Sequence, residues 1–195
     1  MKKMNLQAMI EASIFAAFAL ILDFLPSIQL GPWMSISVAM VPIFILALRW
    51  GFRVSLVAGF LWGLLQVVTG DAYFLTPLQF AIEYFIAFAF VGFAGLLYPA
   101  IQKAVKENNK GAIALWVIVA VLVGTVARYF WHFIAGVVFW GDYAPEDMSP
   151  VIYSLFVNGG TALGAFILCS IVLVLLLVTA PRLVKQKETI GGVSK

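Results

Sequence analysis

Apolar residues run through this chain in six long stretches separated by short polar or charged breaks. A helix needs roughly 17–25 mostly apolar residues to cross the hydrocarbon core of a bilayer. The pattern therefore predicts spans at approximately 6–25, 34–49, 53–69, 77–100, 112–140 and 152–180. The second and third are short, and the break between them, Arg49 to Arg53, is tight. No soluble domain, low-complexity segment or internal repeat interrupts the series. The expected architecture is an all-α integral membrane protein, with six transmembrane helices in one domain over residues 1–195.

Composition supports this reading. Charged residues make up 11% of the 195 positions, against about 25% in a soluble domain. The first residues set lysines ahead of an apolar core, as a signal peptide does. No small-residue cleavage site precedes Asp23, so the segment reads as the first span. Cys169 is the sole cysteine and lies in an apolar run, which makes it a packing residue with no disulfide partner in the chain.

Charge orients the bundle. Lys2, Lys3, Arg49, Arg53, Lys103, Lys106, Lys110, Arg182, Lys185, Lys187 and Lys195 all fall on one side of the predicted spans, and none falls on the other. The positive-inside rule then places both termini in the cytoplasm. Asp71, Asp142, Glu146 and Asp147 lie outside, with Asp23 near that face. Acids contribute little to topology. An outer surface rich in them suits a cationic ligand.

Ionisable residues inside spans are functional candidates by default. Here they are Glu83, Arg128, His132 and Glu11. At 1.5 Å per residue, Glu83 and Asn158 lie about 9 Å below the outer ends of their helices and His132 about 12 Å. Three polar groups from three helices thus share a depth, which points to one pocket open to the outside. His132, Gly136 and Trp140 follow at i, i+4 and i+8 and share a helix face. The glycine leaves either a gap into which a flat ring could stack on Trp140 or a notch for helix packing. Trp140 is equally suited to an interfacial belt. Glu83 must be paired, neutralised or ligated. Either Arg128 or a bound organic cation can do this, the latter boxed by Tyr73 and Tyr84. Arg128 is expected to be structural, bonded to carbonyls or a carboxylate, and Glu11 to be an interfacial or partner contact.

The connection around Pro26, Gly31, Pro32 and Trp33 is short and uncharged, fit to cover a pocket or to anchor in the interface. Ala8, Ala12 and Ala16 form a small-residue stripe on which a partner helix could dock. Gly59 with Gly63, and Gly160 with Gly164, have the same spacing and suit internal packing. The sequence has no phosphate-binding glycine loop, no metal-ligand cluster and no nucleophile with a base beside it. No metal, cofactor, catalytic residue or nucleic-acid partner is expected.

The segments FAIEYF, WHFIAGVVFW and VIYSLFVNGG, with the aromatic first outer loop, resemble the thiamine-specific S components of energy-coupling-factor (ECF) vitamin transporters. The resemblance covers essentially the whole chain. It implies a small bundle in the lipid of a bacterial cell membrane that binds thiamine from outside with high affinity. The vitamin would pass to a membrane-embedded coupling subunit served by two ATPase subunits, together an ABC-type importer. It assigns the thiamine pocket to Trp33, Tyr73, Glu83, Tyr84, His132, Gly136, Trp140, Tyr153 and Asn158. Glu83 would hold the aminopyrimidine and offset the thiazolium charge, and Trp140 would stack on a ring. Contact with the coupling subunit falls to Ala8, Ala12 and Ala16, in either of two registers. Three other readings stay open: an S component for another flat vitamin, a quaternary-ammonium or organic-cation transporter, and an intramembrane enzyme using Glu83 and His132.

Overall fold

The computed structural model describes residues 4–30 and 33–186. Lys2, Lys3, Lys187 and Lys195, and Gly31 and Pro32 of the first loop, lie outside the described residues. Helix α1 (Leu6–Asp23) leads into an antiparallel ribbon of β1 (Ile28–Gln29) and β2 (Ser35–Ile36). Then come α2 (Val41–Trp50) and α3 (Phe52–Val68), and the long helices α4 (Pro77–Lys106), α5 (Lys110–Phe139) and α6 (Pro150–Thr179). The start signals are local. Thr76 and Ser149 accept N–H bonds from Gln79 and Ile152, with proline at the first helical position, while Asn5 and Asn109 cap α1 and α5.

Helices α1, α4, α5 and α6 are long and apolar enough to cross a membrane, and α2 and α3 are shorter apolar helices. The faces of α6 show the inverted logic of a chain whose solvent is lipid. Leu163, Ile167, Ile171 and Leu175 point outward, while Thr161, Ala165, Cys169, Leu173 and Leu177 point inward. Large apolar side chains face hydrocarbon, and the small Thr161, Ala165 and Cys169 let the helices approach over the middle of α6. This is a multi-pass membrane protein.

Two expectations are corrected. The second span, expected over 34–49, is helical only from Val41. Met34 and Ile36 are buried and Ser35 is exposed, an alternation of period two that makes a strand. Helix α2 is buried along Val41–Leu48, and its ten residues cover about 15 Å, half the hydrocarbon thickness. The ribbon and the turn after it fill the remaining depth. Methyl and ethyl groups of Met34 and Ile36 occupy the space left by the missing side chains of Gly160 and Gly164. Gly59 and Gly63 let α3 touch the carbonyls of Phe88 and Tyr84 on α4.

The second correction concerns α1. Ala8, Ala12 and Ala16 are buried, with Ala19, where α1 packs on α2 and α3. The stripe is an internal interface and offers no docking face; the small residues that α1 turns outward are Ser13 and Ala17. Glu11 is likewise internal. Arg49 donates to it from Nε at 2.6 Å and from Nη2 at 3.1 Å, and Trp50 donates from Nε1 at 2.6 Å. Arg49 also reaches the carbonyls of Leu183 and Lys185, and Gln102 donates to those of Leu48 and Val184. The basic end is thereby stapled shut by the C-terminal segment.

Candidate functional site

At the opposite end, the helices part around a cavity of about 310 Å³, within the range of small-molecule sites. All nine residues singled out for a ligand line it: Trp33, Tyr73, Glu83, Tyr84, His132, Gly136, Trp140, Tyr153 and Asn158. Gln66, Asp71, Phe88, Arg128, Tyr143, Ser154 and Val157 complete the wall.

Glu83 comes from a π-helical turn in α4 (Ala81–Ile86), and Asn158 from one in α6 (Leu155–Gly159). Such turns carry an extra residue and recur at functional sites. The Glu83 carboxylate accepts from Trp140 Nε1 at 3.0 Å and from the Gln79 amide. Gln79 is fully buried. Its Nε2 also donates to the Tyr73 carbonyl at 3.2 Å, and its Oε1 accepts from Leu75 N at 3.0 Å. The Tyr73 N–H donates to the Tyr84 hydroxyl at 2.8 Å. The Gln79 amide thus ties the loop before α4 to the acid, and the Tyr84 phenol ties the same loop to α4. No lysine or arginine forms an ion pair with Glu83 among the described residues.

Aromatic rings close the mouth. Trp33 sits with its ring centre 5.8 Å from Trp140, 6.0 Å from Tyr143 and 6.4 Å from Tyr73. Trp33 therefore covers the cavity, the first of the two roles expected for its loop. Gly136 lines the cavity and also packs closely against α6. A side chain there would strike Ser154 Oγ and come within 2.9 Å of Asn158 Nδ2. Ser154 in turn donates to the Phe133 carbonyl at 2.8 Å, and Asn158 to Ser154 at 3.1 Å. The glycine is a notch that seats α6 on α5, and the space above it holds these polar groups.

Arg128 departs from expectation. Among the described residues it is bonded to neither a carbonyl nor a carboxylate. Its guanidinium carbon lies 4.2 Å from the Phe88 ring centre and 4.6 Å from that of Trp62, and its Nε donates to His132 Nε2 at 3.4 Å. It forms part of the cavity wall. Gln66 and Tyr143 were also missed. The signal for Gln66 was an amide in an apolar helix; for Tyr143, an aromatic beside Trp140. Among the described residues, no group of three or more His, Cys, Asp or Glu side chains could hold a metal ion.

Fold and cavity together define a polytopic membrane protein with a cavity of small-molecule size between the ends of its helices. Residues 9–185 match the family model described as Thiamine transporter protein (Thia_YuaJ), and the chain belongs to that family. It is similar to the thiamine transporter ThiT of Lacticaseibacillus paracasei, 40% identical over 187 residues covering 94% of this chain and 93% of the relative. It is also similar to ThiT of Bacillus subtilis, 39% identical over 189 residues covering 94% and 97%. A solved structure of ThiT from Listeria monocytogenes superposes with a TM-score of 0.89 at 39% identity, covering 93% of this chain and 98% of that one. The family's role is transport, which sets aside the reading of Glu83 and His132 as an intramembrane enzyme.

Proposed function

We propose that this chain is the substrate-binding S component of an ECF-type importer, capturing thiamine from outside the cell in the cavity around Glu83. The observation that carries this is Glu83 itself. It is an acid in a membrane bundle that receives two neutral N–H donors and, among the described residues, no cation, beneath a lid of Trp33, Trp140 and Tyr143 rings. A delocalised organic cation supplies the missing charge and suits the ring faces. Thiamine is such a cation, and the names of the similar proteins support it. In this reading Glu83 takes the aminopyrimidine and offsets the thiazolium, Trp140 stacks on a ring, and His132, Tyr153 and Asn158 give the remaining polar contacts. Trp33, Tyr73 and Tyr84 enclose the ligand.

The basic end faces the cytoplasm and the cavity end faces outside, with both termini cytoplasmic. With no nucleotide-binding motif of its own, the chain takes its energy from a coupling subunit and two ATPases. Titration of the purified protein with thiamine tests the reading. Two of its six tryptophans flank the cavity, so saturable fluorescence quenching is expected below micromolar thiamine. An absence of saturable quenching in the micromolar range overturns it.

A further inference from the structure

Arg128 stands on the wall of the ligand cavity together with Glu83. A guanidinium is charged at every physiological pH. At the effective dielectric of a protein site, a like charge some 8 Å from a bound cation lowers its affinity by roughly 10- to 30-fold. A cation site with such a wall needs something to cancel the charge. Among the described residues no carboxylate is ion-paired with Arg128; the ion pairs present are Arg49–Glu11 and Lys103–Glu107.

Arg128 also lines a second cavity, of about 200 Å³, with Asp23, Ser35, Ser37 and Tyr129. Asp23, the last residue of α1, accepts from Trp62 Nε1 at 2.8 Å and from the Gln66 amide. Trp62 is fully buried, and its ring lies against the Arg128 guanidinium, so one indole touches both charges. Gln66 reaches from Asp23 to the ligand cavity, whose wall it shares. The second cavity is roomy and polar enough to hold several waters. It is bounded by Ser35 of β2 and by Ser37 and Met40 of the turn that follows, and non-helical backbone at membrane depth is tolerated where it lines a hydrated space.

We propose that Asp23, acting across this second, water-filled cavity, cancels the charge of Arg128 and so sets the preference of the ligand cavity for a cation over an uncharged molecule of the same shape. Asp23 touches no ligand; its effect on specificity runs through Arg128 and Trp62. Arg128 in turn stays in the membrane bundle because rings and water share its hydration and Asp23 its charge. Without Asp23, Arg128 would offset one of the two acids, Glu83 and Asp71, that line the ligand cavity.

The inference rests on thiamine being the ligand, and the test separates the two. Calorimetry on the full chain measures the affinity of thiamine and of a neutral analogue whose thiazolium is replaced by an uncharged thiophene ring. The readout is the ratio of the two affinities. Asp23→Asn keeps an oxygen for the Trp62 and Gln66 donors and should lower the ratio roughly 10- to 30-fold. Arg128→Gln should not lower it, and the double variant should return it to within about threefold of the wild-type value. Equal losses for both ligands in Asp23→Asn, or no recovery in the double variant, would overturn the proposal. If Asp23→Asn fails to fold, Arg128→Gln alone decides, since a lowered ratio there has the wrong sign. Wild-type protein that binds neither ligand refutes the thiamine reading; wild-type protein that binds thiamine, with a ratio insensitive to Asp23, refutes this inference only.

Discussion

A carboxylate inside a membrane bundle persists only when its charge is met, and Glu11 and Glu83 meet theirs differently. Glu11 has an arginine and an indole N–H from α2. Glu83 has two neutral donors and faces a cavity. Glu83→Gln should therefore lower thiamine affinity on the order of 100-fold, the cost of stranding one partner of a desolvated charge pair. Glu11→Gln should leave affinity within about threefold and instead lower stability by about 1–3 kcal/mol, because Arg49 loses its counter-charge. Calorimetry and thermal melting separate the two, and equal losses of affinity would displace Glu83 from the site. Sequence marks both simply as acids in apolar runs. The arginine and the indole that meet Glu11 lie 38 and 39 residues away, which no local pattern reveals.

At the scale of elements, depth along a helix was legible and facing was not. Rise per residue changes little when a single π-helical turn is inserted, so Glu83 and Asn158 both reach the one cavity that counting leads one to expect. The same turns rotate everything beyond them, and a wheel drawn at 3.6 residues per turn loses its register there. Helix α1 makes the point for packing. Its alanines have the small-xxx-small spacing that serves an internal or an external contact equally, and they face α2 and α3. Ala12→Leu should consequently destabilise the protein by about 1–3 kcal/mol through overpacking, whereas Ala17→Leu on the outer face should change it by less than about 0.5 kcal/mol. Thermal melting of the two variants in one detergent checks this. A wild-type melting temperature for Ala12→Leu would return the alanine stripe to the list of docking faces.

For the whole molecule, Arg49, Arg53, Lys103, Lys106, Lys110, Arg182 and Lys185 gather at the end stapled by Arg49 and Gln102, and the cavity, with Arg128 on its wall, opens at the other. The positive-inside rule turns this asymmetry into an orientation. Cysteine placed at Asp142 should react with a membrane-impermeant maleimide on intact cells, and cysteine placed at Lys106 only after permeabilisation. Native Cys169 is buried and should add little background. The opposite labelling pattern would turn the cavity toward the cytoplasm.

The order of apolar stretches, the charge asymmetry and the depth of the polar groups follow from the sequence alone, because each depends on distance along one helix from one interface. That the second stretch is half ribbon, that Gly136 seats a helix, and that Arg128 joins two cavities were decided by the tertiary structure. Each of these depends on which residue fills the space opposite, and the residues concerned are far away in the chain. Hydrophobicity places a segment in the membrane; contact between segments decides what it does there.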